Sequence, residues 1–291
     1  MKDYVAENQR ILDKWRNDYV KRNKADWPEY FNLHEYFAPD GITNKGEFQG
    51  EEKYFKKETE DNEPYFRVFR WVRIPSGEEN FLWANAPLRI LYLTKDQNTG
   101  GNISWDVRSE SFRYISKDYK PEEMWLDTNN AFYRNLVYTL YGILKTTADR
   151  LMGYNDFTDK EALSFVDKQI FARINCKKEI GGRECKPLVL KKAIDKDKDF
   201  LKQQILNLDA DIFVCCGLMS FMPNILNDMG YHFEQQDDDK WIYYDKENNK
   251  LAINNWHLSA RKSSEEWYNQ LIGAYHCFLE KHPNFIKSHR E

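Results

Sequence analysis

The chain has 291 residues, room for one large or two small domains and for a full core without staples. Its net charge of −4 excludes a generally polybasic nucleic-acid binder but leaves room for a local basic site. Hydrophobic residues make up 41%, which excludes wholesale disorder, and aromatic residues reach 15%, enough for a stiff core and for ring platforms that suit a planar ligand.

Residues 4–20 predict an amphipathic helix, with Val5, Ile11, Leu12, Trp15, Tyr19 and Val20 at helical spacing. The polar, charge-mixed stretch 40–64, with Gly41, Gly46, Gly50 and Pro64, predicts a loop or mobile insertion. YFRVFRWVRI (65–74) predicts a strand. From residue 88 the pattern sharpens. LRILYL (88–93), IFARI (170–174) and DIFVCC (211–216) are short apolar runs. Helices are predicted between and after them, at about 131–152, 187–208 and 219–228. WIYY (241–244) and KLAINNW (250–256) predict a hairpin around DKENN, and 263–280 a last helix with a broad apolar stripe. No apolar run approaches the ~20 residues of a membrane span. The start MKDYVAENQR has no apolar signal core. Five cysteines, an odd number, predict no disulfide framework. The expectation is a soluble, reduced, cytoplasmic protein.

Short apolar runs alternating with amphipathic helices predict an α/β fold, a mainly parallel sheet covered on both faces. Four runs end in polar or glycine-bearing loops: after Leu93, at Asn175, at Gly217 and at His257. Ligands of open α/β sheets bind outside the carboxyl ends of strands, so Asp96, Asn175 and His257 are the candidate site residues.

These strand ends, in this order, resemble the uracil-DNA glycosylase superfamily over about residues 88–280. The matching stretches are LTKDQN (93–98), ARIN (172–175), FVCCG (213–217) and HLSAR (257–261), with FYRNL (132–136) on a helix where the family also has one. The resemblance implies a three-layer α/β/α domain at 86–291 with a central, mainly parallel four-stranded sheet, and an N-terminal elaboration at 1–85. It implies a monofunctional glycosylase-like hydrolase that cleaves the N-glycosidic bond of a flipped, damaged or modified base, with no cofactor and no metal. Asp96 would orient water and stabilise the sugar cation, and His257 would stabilise the departing base. Asn175 would read the base edge, Trp105 or Phe112 would stack on the flipped base, and Asn98 would join them in binding it. Lys95, Lys177, Lys178, Arg183, Ser259 and Arg261 would contact phosphate, making single- or double-stranded DNA the expected partner. Gln97 and Leu258 stand where the family commonly has proline. Asn98 stands where uracil-strict members have tyrosine, so strict uracil selectivity is not implied. The five cysteines do not give the spacing of the iron–sulfur branch.

Taken singly, each residue also has a plainer reading. An Asp after a strand serves as a turn or helix cap. Asn175 suits a strand end, His257 a satisfied histidine, Trp105 packing, and Cys215 and Cys216 a sheet interior. The stretch 171–192 carries seven lysines and arginines against two glutamates, which fits a phosphate-facing loop or a solvated helix face. Three alternatives therefore stand beside the glycosylase. They are a non-catalytic nucleic-acid or nucleotide-binding module, a hydrolase of small nucleosides or nucleotides, and a protein-interaction scaffold.

Overall fold

A computed structural model describes residues 2–24, 33–56, 64–97, 104–109, 130–182, 185–218, 222–236, 239–286 and 289. Asn98, Phe112 and Arg183 lie outside these residues. The chain is α/β and forms two compact units that are not contiguous in sequence. Residues 1–84, 95–125 and 175–208 make the first, and 85–94, 126–174 and 209–291 the second. The sequence reading draws its boundary at residue 85; by contacts, the first 84 residues cluster with two later segments.

In the first unit, α1 (Tyr4–Asn23) starts at Asp3, whose side chain accepts from the Ala6 N–H. Its Ile11, Leu12, Trp15 and Tyr19 are buried, as the periodicity predicts. They face α6 (Lys198–Leu208), which buries Leu201, Ile205 and Leu208. Trp15 stacks on Phe200 at 5.6 Å and meets Phe37 edge-on at 5.8 Å. The predicted helix at 187–208 is two: α5 (Pro187–Lys196) ends at Asp197, and α6 begins after it. The Asp197 carboxylate binds Arg22 of α1 at 2.6 Å, so a tertiary partner occupies the break. The stretch 40–64 is not one loop. It contains β1 (Gly41–Ile42) and β2 (Phe48–Lys56), and β2 pairs antiparallel with β3 (Pro64–Arg73). Its charges and glycines conceal a ladder that pairing with β3 supplies. The short α2 (Glu79–Ala84) also belongs here; its Trp83 Nε1 donates to the Leu208 carbonyl at 3.0 Å.

The second unit carries a sheet of six strands, side by side as β5-β4-β6-β9-β8-β7. These are β4 (Ile90–Thr94), β5 (Ala172–Asn175), β6 (Ile212–Cys216), β7 (Glu234–Gln236), β8 (Asp239–Asp245) and β9 (Lys250–Asn255). β4–β6 and β6–β9 are parallel; β9–β8 and β8–β7 are antiparallel. The sheet is thus wider than the four strands expected, because β8 and β7 extend it. Every residue of β4, β5, β6 and β9 is buried, Cys215 and Cys216 included, as an interior sheet demands. The helix predicted at 131–152 is α3 (Ala131–Lys145); it stops where Thr146 turns extended. α3 packs against α8 (Ser264–Lys281), and Gly142 permits the approach: a Cβ there would lie 2.6 Å from the Tyr268 hydroxyl. α4 (Asp159–Asp167), missed by periodicity, carries a full capping box from Thr158 and Glu161. α7 (Met222–Asp228) follows β6. No helix among the described residues is long and apolar enough to cross a membrane.

The β8–β9 turn holds a buried carboxylate. Asp245 accepts from the N–H groups of His232 (2.8 Å) and Asn248 (2.9 Å) and from the Asn248 amide (2.8 Å). Burial pushes its pKa up, but the N–H donors of Asn248 and His232 outweigh it and hold the group below the ordinary carboxylate value. A carboxyl lowered on folding stabilises above its unfolded pKa of about 3.9, and that contribution is lost as pH falls through the folded value. Asp245→Asn is therefore expected to cost about 1–3 kcal/mol at neutral pH and little at an acid pH below the lowered folded value. Urea unfolding at both pH values checks this; an equal loss at both rules out the ionised carboxylate as the cause.

Candidate functional site

In the first unit, the residues after β4 run beside the segment after β5. Lys177 N–H donates to the Lys95 carbonyl at 2.9 Å, and Gly181 N–H to the Gln97 carbonyl at 2.8 Å. Asp96 lies between these bonds, its side chain 9% exposed and 3.4 Å from Lys177 Nζ. A Cβ on Gly181 would sit 2.0 Å from Asp96 Oδ2, so the carboxylate rests directly over a glycine backbone. Burial and then the charge of Asp96 push the nearby Cys185 thiol up to about 11.

Gln97, the residue in the usual proline position, has its own task here. Its side-chain amide accepts from the Trp105 N–H at 2.8 Å and donates to the Trp105 carbonyl at 2.9 Å. It joins the Asp96 loop to the next segment as one peptide joins another in a ladder. Trp105 itself is 6% exposed, its ring packed into the protein.

Asn175 ends β5 with 3% exposure. Its N–H donates to Asp40 Oδ2 at 2.7 Å. Lys178 is not a phosphate-facing residue. It is 1% exposed, and its ammonium bonds both Asp40 oxygens (2.7 and 2.6 Å) and the Asn175 carbonyl (2.9 Å). Burial pulls its pKa down, against the Asp40 carboxylate, which holds it up. Lys177 also turns inward, donating to the Glu179 carbonyl at 2.8 Å. The basic stretch is thus partly consumed inside the protein. Arg173 is buried and lies over the Phe132 ring at 5.3 Å, and Lys191 pairs with Asp195 at 2.7 Å. Lys192 is exposed and Lys186 exposed as well.

In the second unit, β6 ends at Gly217, whose φ of +72° suits glycine. Its N–H donates to the Asn255 carbonyl at 2.7 Å, and a Cβ there would meet His257 Cβ at 2.8 Å. The small-residue turn after β6 is therefore the backing of the histidine after β9. His257 Nδ1 lies 2.8 Å from Ser259 Oγ and accepts from the Ser259 N–H at 3.3 Å. A backbone N–H can only donate, so Nδ1 is an acceptor and the neutral ring carries its proton on Nε2. The loop is fixed from α3. Asn135 Nδ2 donates to the Leu258 carbonyl at 2.6 Å, and Arg134 Nε to Ser264 Oγ at 2.7 Å. Ser259 and Arg261 are exposed.

Read from the sequence, Asp40 and Asn135 have no role, and Gln97 is only a departure from the motif. Asn135 leaves a trace, a polar residue on the buried face of α3. Asp40 leaves none, because its partners are 135 and 138 residues away. Among the described residues, no three His, Cys, Asp or Glu side chains gather as metal ligands do. Compared with protein-family models and with curated proteins, the chain matches none.

Proposed function

We propose that the chain is a glycosylase-like hydrolase of the uracil-DNA glycosylase type, acting on a flipped, damaged or modified base, with that family's layered four-strand core. The observation that carries the reading is the strand order β5-β4-β6-β9. From β4 the chain passes to β5 on one side and then to β6 on the other. The carboxyl end of β4 is therefore a switch point, where open α/β sheets bind ligands. The loop that begins there holds Asp96.

Cleaving an N-glycosidic bond builds positive charge on the sugar and negative charge on the departing base. In this reading the Asp96 carboxylate stabilises the sugar cation and orients the attacking water. His257, protonated on Nε2, donates to the base oxygen as it gains charge. The Asn175 amide, with one donor and one acceptor face, reads a pyrimidine edge. Ser259 and Arg261 contact phosphate. The inward use of Lys177 and Lys178 favours a second reading, a hydrolase of free nucleosides or nucleotides that needs no long basic surface.

Base release separates the two. Labelled single- and double-stranded oligonucleotides carrying uracil, hypoxanthine, xanthine or a thymine mismatch are compared with free nucleosides at low and high salt. Release from an oligonucleotide, weakening as salt rises, is the expected result. Turnover of nucleosides alone, indifferent to salt, selects the second reading. DNA binding without release of any base removes catalysis and leaves a reader of modified bases.

A further inference from the structure

Asn175 is held at both of its peptide groups by one buried ion pair. Asp40 Oδ2 accepts its N–H at 2.7 Å, and Lys178 Nζ donates to its carbonyl at 2.9 Å. The pair is anchored in turn. Gln204 of α6 donates to Asp40 Oδ1 at 2.8 Å and to Asn8 Oδ1 at 3.0 Å, and Asn8 of α1 donates to the Asp40 carbonyl at 2.9 Å. The ammonium lies 4.8 Å from the Trp15 ring centroid, and the Lys178 carbonyl accepts from the Ala38 N–H at 2.9 Å. The segments 38–40 and 175–178 are thereby locked to each other and to two helices of the same unit.

We propose that Asp40 and Lys178 are the positioning residues of Asn175, and that the N-terminal segment contributes to base recognition by supplying Asp40. The proposal rests on the reading of Asn175 as the base-edge residue. A buried ion pair stabilises a fold no better than a well-packed apolar pair of the same volume. What this pair adds is direction. Two charge-assisted bonds fix the peptide planes on either side of one Cα, so the amide beyond it has only its own side-chain torsions left to vary. A base-reading amide needs that, because it must meet a ring edge in one orientation.

The experiment compares the wild type with Asp40→Leu/Lys178→Met, which removes both anchors and keeps the volume. A second variant, Asp40→Asn/Lys178→Met, restores an acceptor for the Asn175 N–H. The first readout is hydrogen exchange of the Asn175 backbone amide, measured with the thermal midpoint. The apolar variant is expected to exchange at Asn175 about tenfold faster or more, beyond what any fall in its midpoint accounts for, with the second variant falling between. The second readout is kcat/KM on whichever base the wild type releases, expected to fall about 10²-fold in the apolar variant and recover in part in the other. If the apolar variant does not fold, Asp40→Asn/Lys178→Met against the wild type carries both readouts. Unchanged exchange at Asn175 overturns the positioning role, whatever the activity. Faster exchange with unchanged kcat/KM and unchanged discrimination among bases overturns its link to recognition. A wild type that releases no base overturns the glycosylase reading, and with it the recognition half, while the exchange result still decides the positioning half.

Discussion

If the chain is the proposed glycosylase, Asp96→Asn is expected to lower the rate of base release by about 10³-fold, the scale of a lost general base or ion-stabilising carboxylate. A more telling variant lies on its neighbour. Gly181→Ala leaves Asp96 in place chemically but puts a methyl group where Asp96 Oδ2 now rests, 2.0 Å away. The carboxylate must move by an ångström or more, and a displacement of that size costs about 10²-fold. Gly182 is the internal control, because a Cβ there has nothing within 4 Å. Gly182→Ala is expected to retain full activity. Equal loss in both alanine variants would mean that the loop as a whole, and not the place of the carboxylate, governs the rate.

The Asp96 charge has a readout that needs no substrate. Burial and the Asp96 charge together hold the Cys185 thiol at about 11, so little of it is thiolate at neutral pH. Removing the charge in Asp96→Asn lowers that pKa and raises the thiolate fraction. Alkylation of Cys185 at pH 8 is expected to run faster in Asp96→Asn than in the wild type. Peptide mass spectrometry separates it from Cys277, which is exposed and serves as the reference. Unchanged alkylation would show that the carboxylate does not face the thiol in solution.

What the sequence disclosed, and what it hid, follows the range of the interactions. α1, α8 and the interior strands announce themselves because burial on one stripe, or on both faces, writes a local pattern. β2 does not, since FQGEEKYFK becomes a strand by pairing with β3. β7 is three polar residues at a sheet edge and has no pattern to show. α4 was legible in principle, through the Thr158–Glu161 capping box. The candidate site divides in the same way. Strand-end residues can be read from where apolar runs stop, which picks out Asp96, Asn175 and His257. Their supports cannot be read so. Lys178 looks like one more charge in a basic run; only the fold brings Asp40 to it and takes both out of water. Gln97 looks like a departure from a motif until Trp105 is seen to use both ends of its amide.

Lys178→Ala is expected to cost about 3–5 kcal/mol of stability, because it leaves a buried carboxylate without its cation. Against a usual total of about 5–15 kcal/mol this is a large share. Asp40 would keep the Gln204 amide and the Asn175 N–H, which satisfy its lone pairs in part but supply no positive charge. Asp40→Ala strands the ammonium instead and is expected to cost a similar amount, with only the Asn175 carbonyl and the Trp15 ring left to it. Removing both charges together costs less than either single loss: Asp40→Leu/Lys178→Met strands no charge, but it takes away the partners of the Asn175 N–H and carbonyl, so it is expected to lose about 1–3 kcal/mol. The double-mutant cycle from urea unfolding gives the coupling directly, and a value well above about 2 kcal/mol is expected. Losses below about 1 kcal/mol in both single variants would mean that water reaches the pair. Additive losses would mean that each charge is satisfied by other groups. In either case Asn175 would be held by its strand alone, and the N-terminal segment would have no hand in placing it.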